Sequence, residues 1–265
     1  MKNKVVIITG ASSGIGLALA QEFDKYNAKI VLAARGVDKL EELITQMKSE
    51  VIAVKTDVSV EQDCINLIDK AVEKFGQIDI LINNAGISMR SLLIDTDISV
   101  IKRLMDVNFW GTVYCTKYAL PYLLKNKGSV TAVSSIAGFK GLPGRVGYSS
   151  SKFAIHGFLD VLRTENIKTG LHVLLAAPGF TKSNIRNVAL VGDGSAQGET
   201  PRDEEKMMTS EEVAKHIVKA IKKRKRELIL TTQGKLTVLL NKLIPKTIDK
   251  MVYNHMAKED DSPLK

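Results

Sequence analysis

The chain has 265 residues, of which 45% are apolar and 25% charged, and it carries a formal net charge of +9 at pH 7. This length fits one large α/β domain, and the balance of residues is ordinary for a globular protein in water. It contains no run of about 18 uninterrupted apolar residues, which excludes a bilayer-spanning helix.

Residues 4–9, KVVIIT, form an apolar β-branched run that predicts a buried strand. Gly10 to Gly16, GASSGIG, follow at once, and an amphipathic helix runs from about Ile15 to Tyr26. Glycines at such a junction let the backbone turn tightly and approach a phosphate, while the helix N-terminus supplies spare N–H groups and a partial positive charge. The spacing G-x-x-x-G-x-G differs from the usual dinucleotide G-x-G-x-x-G, so its place between strand and helix carries the nucleotide reading. A second strand, Lys29 to Ala34, ends at Arg35. An acid at this point would take a ribose 2′-hydroxyl, whereas a basic residue pairs with a 2′-phosphate. Ala33-Ala34-Arg35 therefore favours NADP(H) over NAD(H).

A helix over 37–49 leads to a strand from Val51 to Lys55 and then to Asp57. Ligands bind at strand carboxyl ends in open parallel sheets. Asp57 either accepts from an adenine amine or caps the next helix, a task that Ser59 also suits. A helix over 60–75 ends at Gly76, as a C-cap would. Strand Ile78 to Ile82 precedes Asn83-Asn84-Ala85-Gly86, a turn fit for close approach of a cofactor ribose or of a neighbouring strand's backbone. A long helical pattern over 98–126 contains Asn108. Asparagine is unfavourable inside a helix, so Asn108 is either a surface accident or has a local task. A strand over 128–133, a helix over 149–168 and a strand from Leu171 to Ala177 follow, the last ending at Pro178-Gly179-Phe180-Thr181. The alternation predicts an α/β fold with a doubly wound parallel sheet.

The stretch 182–208 has no clear period and is expected to form a substrate lid. Thr209 and Glu212 then supply a capping box for a helix to about Arg226, and Leu228 to Leu230 make a short last strand.

Tyr148 and Lys152 stand four apart, which places both on one helix face. Ser135 lies thirteen residues before the tyrosine, just after the apolar run Val130 to Val133. A phenol titrates near pH ~10 and is a poor acid or base at neutrality unless a neighbouring cation favours the phenolate. A nearby hydroxyl can hold a carbonyl or alcohol that exchanges a proton with the tyrosine. The trio predicts a proton-transfer site; the bland alternative is a surface Tyr-Lys pair on an ordinary helix.

Over about residues 4 to 231 the chain resembles the short-chain dehydrogenase/reductase family. The resemblance rests on TGASSGIG at 9–16, Asp57-Val58, NNAG at 83–86, Asn108, Ser135 with Tyr148-x-x-x-Lys152, and Pro178-Gly179. It implies a Rossmann-type oxidoreductase domain over 1–231 that interconverts a carbonyl and an alcohol by hydride transfer. It also implies a catalytic tetrad. Tyr148 is the acid/base, Ser135 holds the substrate oxygen, Lys152 binds the nicotinamide ribose and depresses the tyrosine, and Asn108 positions a water in a proton relay. The cofactor, NADP(H), would lie on Gly10, Ser12, Ser13, Gly14, Ile15 and Gly16, on Arg35, and on Asp57 and Val58. Asn84, Ala85, Gly86, Tyr148, Lys152, Pro178 and Gly179 complete the site, with either Thr181 or Ser183 meeting the nicotinamide carboxamide. A fold of this kind that has lost catalysis and only senses its cofactor is the alternative, and the intact Ser135, Tyr148 and Lys152 speak against it.

Residues 232–265 form a helical extension. Leu236, Leu239, Leu240 and Leu243 keep helical spacing, Pro245 interrupts, and Ile248, Met251, Val252 and His255 repeat it. Two amphipathic helices are expected, packed over the substrate cleft or a second copy of the chain, or laid on an anionic membrane surface. The tail is similar to that of hydroxysteroid-dehydrogenase-like reductases, which points to an apolar or lipid-like small-molecule substrate. From Ala214 to Lys258 there are twelve Lys or Arg against two acids, so the net charge sits in this segment. The run Lys222 to Arg226 has no interleaved aromatics, and no nucleic acid is expected as a partner. A homo-oligomer is expected. Cys64 and Cys115 read as buried hydrophobes in a reducing compartment, no metal is expected, and the first apolar run is too short for a signal peptide core. The expected location is the cytoplasm, with room for peripheral membrane contact.

Overall fold

Seven short apolar runs pair as one parallel sheet: β1 Val5–Thr9, β2 Lys29–Ala34, β3 Val51–Lys55, β4 Ile80–Asn83, β5 Ser129–Val133, β6 His172–Ala177 and β7 Glu227–Ile229. The structure is a computed structural model and describes residues 1–182, 185–198, 207–259 and 262–265. The spatial order is β3-β2-β1-β4-β5-β6-β7. Register is regular, with Ile7 beside Val31 and Leu81, and Thr131 beside Ile82 and Leu174. From β1 the chain winds outward to β3, then crosses to β4 on the other side of β1. The reversal opens a crevice at the carboxyl ends of β1 and β4, where such sheets bind ligands.

Alternation along each strand separates two cores. Val6 and Ile8 face helices α1 (Gly14–Asp24), α2 (Asp38–Thr45) and α7 (Ser210–Lys222), packing with Phe23, Leu40 and Ile217. Ile7 faces the other way, toward α3 (Glu61–Phe75), α5 (Gly111–Lys125) and α6 (Val146–Glu165), with Leu67, Leu123 and Ile155. Period-two strands with both faces covered are what a doubly wound sheet requires. Gly76 ends α3 in the left-handed conformation at φ 73°, and Thr209 with Glu212 forms the capping box of α7.

Two expectations need correction, and a third is narrowed. The helical pattern over 98–126 is broken into α4 (Ile98–Leu104), a π-helical turn (Met105–Trp110) and α5. Asn108 sits in the widened turn, a common form at functional sites. Helix α6 begins at Val146, earlier than the expected 149, so Tyr148 stands in its first turn. The tail does form two helices, α8 (Thr232–Leu243) and α9 (Pro245–Ala257), with Pro245 opening the second. Its leucine stripe faces outward, however: Leu236, Leu239 and Leu243 are 53%, 56% and 68% exposed. Gly234 and Val238 make the inward face of α8 instead, Gly234 lying against Ile136. The side chain of Asn241 donates to the carbonyl of Phe139. The helix thus packs over the residues after β5, on a face the apolar spacing does not reveal.

Candidate active site

Thr9, Gly10 and Gly16 build the floor of the crevice. Gly10 has φ +65°, and a Cβ there would lie 2.8 Å from the Cα of Ala85. A Cβ on Gly16 would meet the Gly10 carbonyl oxygen at 2.2 Å. Both positions therefore require glycine for close backbone packing. Asn84 latches the turn: its amide donates to the carbonyls of Thr9 (2.9 Å) and Gly10 (3.2 Å). The Thr9 hydroxyl accepts from the backbone N–H groups of Asn84 and Ala85, each at 3.0 Å. Of the two tasks open to NNAG, the neighbouring strand's backbone is the one the structure displays. Gly14 also adopts positive φ (54°), where the chain enters α1.

Along the rim stand Arg35, exposed at the end of β2, and Asp57 after β3. The Asp57 carboxylate accepts from the hydroxyl (2.6 Å) and backbone N–H (3.0 Å) of Ser59. Burial acts to raise its pKa, but the Ser59 hydrogen bonds and the charges of Arg35 and Arg103 prevail and hold it below the usual carboxylate value. At the β6 end, a Cβ on Gly179 would lie 2.5 Å from the Thr231 side chain, whose hydroxyl caps α8. The Thr181 hydroxyl donates to the Gly179 carbonyl at 3.1 Å. Ser183 lies outside the described residues.

Tyr148 and Lys152 meet Ser135 and Asn108 above β4 and β5. Lys152 is 4% exposed, and its ammonium donates to the carbonyl of Val133 at 2.9 Å. The same ammonium lies 5.7 Å from the centre of the Tyr148 ring and 3.5 Å from where a Cβ of Gly86 would stand. Burial lowers the Lys152 pKa to about 8. The phenol of Tyr148 is pushed up by burial, against the pull of the Ser135 hydroxyl and the Arg145 charge. In the protein alone, desolvation outweighs both of these. Asn108 is fully buried. Its amide clamps Ile87 from both sides, accepting from the backbone N–H at 2.8 Å and donating to the carbonyl at 3.0 Å. A further bond, at 2.9 Å, goes to the Ser151 hydroxyl, which itself donates to the Tyr148 carbonyl at 2.8 Å. The asparagine's local task is to tie the turn after β4 to the helix that bears the tyrosine.

Sequence reasoning missed His156 and Ser151. His156 stands one turn after Lys152, and its Nε2 lies 2.7 Å from the hydroxyl of Ser134. Burial and the Lys152 charge lower its pKa to about 4, so the ring is neutral. The i, i+4 spacing from Lys152 was the available signal. Of the two neighbouring serines, Ser134 is thus occupied with His156, while the Ser135 hydroxyl faces Tyr148 and accepts from the Ala137 N–H at 3.2 Å. Of the expected lid, residues 185–198 are paired to the rim. Leu190 exchanges backbone hydrogen bonds with Ser88 and Arg90 (2.9 and 2.8 Å). It packs with Met89, Val100 and Leu104, against which Val146 and Tyr148 lie. An apolar wall therefore stands beside the tyrosine.

Residues 4–190 match the family described as short chain dehydrogenase. The chain is 33% identical over 276 residues to dehydrogenase/reductase SDR family member 7B of Rattus norvegicus, covering 99% of this chain and 84% of that protein. It is 41% identical over 187 residues to 11-beta-hydroxysteroid dehydrogenase A of Sesamum indicum, covering 69% of this chain and 53% of that one. A short chain dehydrogenase/reductase from Burkholderia phymatum, solved in complex with NAD, shares the fold with a TM-score of 0.83 at 24% identity, over 93% of this chain and 95% of its own. An alcohol dehydrogenase from the archaeon Thermococcus sibiricus, complexed with 5-hydroxy-NADP, aligns with a TM-score of 0.75 at 26% identity, over 86% and 96%. The seven-stranded parallel sheet, the glycine turn at its switch point and the extent of these matches together show that the chain belongs to the short-chain dehydrogenase/reductase family of oxidoreductases.

Proposed function

We propose that the protein is an NADP(H)-dependent oxidoreductase that interconverts a carbonyl and an alcohol, with Tyr148 giving or taking the proton. The observation that carries this reading is the meeting of Ser135, Tyr148, Lys152 and Asn108 beside the glycine turn. The residues fit a dinucleotide. The backbone of Gly10, Ser12, Ser13, Gly14, Ile15 and Gly16 can approach phosphates, and a buried ammonium, Lys152, is available to the acceptors of a ribose. Asp57 and Val58 border the adenine side; Asn84, Ala85, Gly86, Pro178, Gly179 and Thr181 border the other end. When bound, the nicotinamide supplies or takes up the hydride.

The chain's own part is orientation and proton transfer. Ser135 holds the substrate oxygen, Tyr148 moves the proton at that oxygen, and the Lys152 charge favours the phenolate. Asn108 holds the turn and the helix together and, on this reading, orients a water that refills the proton. Tyr148→Phe should bind NADPH unchanged and lose at least about a hundredfold in turnover. Near wild-type reduction of carbonyls by that variant would overturn the assignment.

Arg35, exposed and without an acid in its place, supports NADP(H) over NAD(H). Arg35→Ala should weaken NADPH binding about tenfold and leave NADH binding unchanged. The wall of Met89, Val146 and Leu190 supports an apolar substrate, as do relatives named hydroxysteroid dehydrogenases. Consumption of NADPH over a panel of apolar ketones tests this. A cofactor sensor without catalysis would bind NADPH and oxidise it with none of them.

For partners, exposed Trp110, Phe153 and Val161 support a second copy of the chain. The exposed Leu236, Leu239, Leu243 and Met251, interleaved with Lys235, Lys242 and Lys250, support contact of a cytoplasmic protein with an anionic membrane surface. No helix among the described residues is long and apolar enough to cross a membrane. Co-sedimentation with anionic vesicles at low salt tests the surface contact, and absence of binding ends it.

A further inference from the structure

Tyr148, Lys152 and His156 succeed one another at four-residue intervals along α6, which brings all three to one face. Each meets a different residue where β5 ends. The Ser135 hydroxyl faces Tyr148, the Lys152 ammonium donates to the Val133 carbonyl at 2.9 Å, and the Nε2 of His156 lies 2.7 Å from the Ser134 hydroxyl. The reaction proposed above uses the first two contacts and leaves the third without a task.

The main chain of Ser134 still belongs to the sheet, its N–H donating to the Ala176 carbonyl of β6 at 2.7 Å. From Ser135 the chain leaves the sheet and closes on itself. The Gly138 N–H donates to the Ser135 carbonyl at 3.0 Å and the Phe139 N–H to the Ile136 carbonyl at 2.9 Å. The Ala137 N–H donates to the Ser135 hydroxyl at 3.2 Å. These bonds are internal to the turn, so they fix its shape and not its place. The imidazole of His156 gives the turn a seat. A Cβ on Gly138 would stand 2.5 Å from Nε2, so glycine lets the chain rest directly on the ring. The Phe139 ring meets the imidazole edge-on, with centroids 4.4 Å apart. From the other side α8 closes over the turn, with Gly234 against Ile136 and the Asn241 amide donating to the Phe139 carbonyl at 3.3 Å.

We propose that His156 is a positioning residue for Ser135: its bond to Ser134 and its contact with Gly138 set the turn that carries the substrate-holding hydroxyl. The proposal rests on Ser135 holding the substrate oxygen in the reading above. His156 acts only through that serine. Its ring is neutral, so its part is geometric, one hydrogen bond and one flat surface beside the turn. A hydroxyl displaced by a fraction of an ångström from the reacting oxygen loses rate steeply, because positioning is itself a large share of catalysis. A neutral side chain that reaches Ser134 with the same hydrogen bond should serve nearly as well as the imidazole.

The test is a kinetic cycle between the two residues. His156→Leu removes the bond and keeps an apolar side chain in the space. It should lower kcat/KM for carbonyl reduction about tenfold, with NADPH affinity unchanged. Ser135→Ala should lower kcat/KM about a hundredfold. Once that hydroxyl is gone His156 has nothing left to position, so His156→Leu should cost less than about twofold in the Ser135→Ala protein. His156→Gln, whose amide reaches as far as Nε2, should recover most of the loss. A second readout needs neither NADPH nor substrate. The Ala137 N–H bonds to the Ser135 hydroxyl, and its hydrogen exchange should be about tenfold faster in Ser135→Ala and in His156→Leu than in the wild type and His156→Gln. A tenfold fall with His156→Leu in both backgrounds overturns the proposal. So does NADPH binding that weakens in step with turnover, unchanged Ala137 exchange in His156→Leu, or a His156→Gln protein as slow as His156→Leu. If His156→Leu does not fold, Ser134→Ala removes the same bond from its other end and is read by the same criteria. Wild-type turnover in Ser135→Ala overturns the role given to that serine and this proposal with it. A protein that shows the exchange pattern and turns nothing over contradicts the proposed reaction, while the placing of Ser135 by His156 stands.

Discussion

Replacing Lys152 with methionine should make the protein more stable near neutral pH while removing its activity. Lys152 is 4% exposed, its ammonium bonds to the carbonyl of Val133, and burial takes its pKa from 10.5 to about 8. At neutral pH the folded protein holds inside it a charge that the unfolded chain keeps in water. The shift corresponds to a cost of about 3 kcal/mol at roughly 1.4 kcal/mol per unit. Methionine has a similar length and no charge. It loses the bond to Val133, worth about 1 kcal/mol, which leaves a net gain of about 2 kcal/mol. The advantage must depend on pH in one direction. It is full below the folded pKa of about 8, shrinks as pH rises toward 10.5, and is gone once the lysine is neutral in both states. Urea unfolding of both proteins at about pH 7 and about pH 10 measures this. A variant that is less stable at both pH values by the same amount would show that the buried ammonium carries no penalty, and the reasoning would fail.

Gly16→Ala should cost about 3 kcal/mol and abolish NADPH binding, since its Cβ would sit 2.2 Å from the Gly10 carbonyl oxygen, and backbone must shift. Gly36→Ala, which meets nothing within 4 Å, is the control and should change stability by less than about 0.5 kcal/mol in the same unfolding assay. Asn108→Ala leaves the Ile87 backbone and the Ser151 hydroxyl without their buried partner, and denaturant unfolding should show a loss of about 3 kcal/mol.

Much of this was legible in the sequence, because the fold repeats a local rule. Each apolar β-branched run ends in a polar or glycine turn, and each turn opens a helix, so the strands and the carboxyl-end site follow from periodicity and punctuation. The spacing Tyr148 to Lys152 and the glycines of the turn were readable for the same reason: each is a local geometric demand. What was hidden depends on contacts far apart in the chain. Asn108 reads as a helix defect until Ile87 and Ser151 arrive on either side of it. Nothing local tells Ser134 from Ser135; His156 takes the first and leaves the second to the tyrosine. The tail misleads because apolar spacing marks a face without saying what covers it. Here the small residues Gly234 and Val238 turn inward, and the leucines turn outward. The direction of the Tyr148 shift was equally out of reach, since it comes from a competition between burial and charge that only packing decides.

That competition gives a final prediction. In the protein alone, burial biases both members of the pair toward their neutral forms, raising the phenol and lowering the ammonium. Proton transfer at a substrate oxygen needs the opposite bias, a phenolate that the lysine charge can support. A dinucleotide phosphate group and ribose brought close to Lys152 would favour its charged form, so its pKa should rise on binding. Above about pH 8 the free protein has lost the proton that the bound protein keeps, and binding must then take one up. NADPH affinity should be flat below that pH and fall above it, by up to about tenfold per pH unit, until the bound lysine itself titrates. The phosphates do not confuse the measurement, because a phosphate monoester completes its ionisation near pH ~6. Calorimetry in buffers of different ionisation enthalpy would count the proton directly. Lys152→Met should show neither the fall nor the uptake. A wild-type affinity that does not change with pH would mean that the cofactor leaves the lysine's surroundings untouched, and Lys152 would then have no part in holding it.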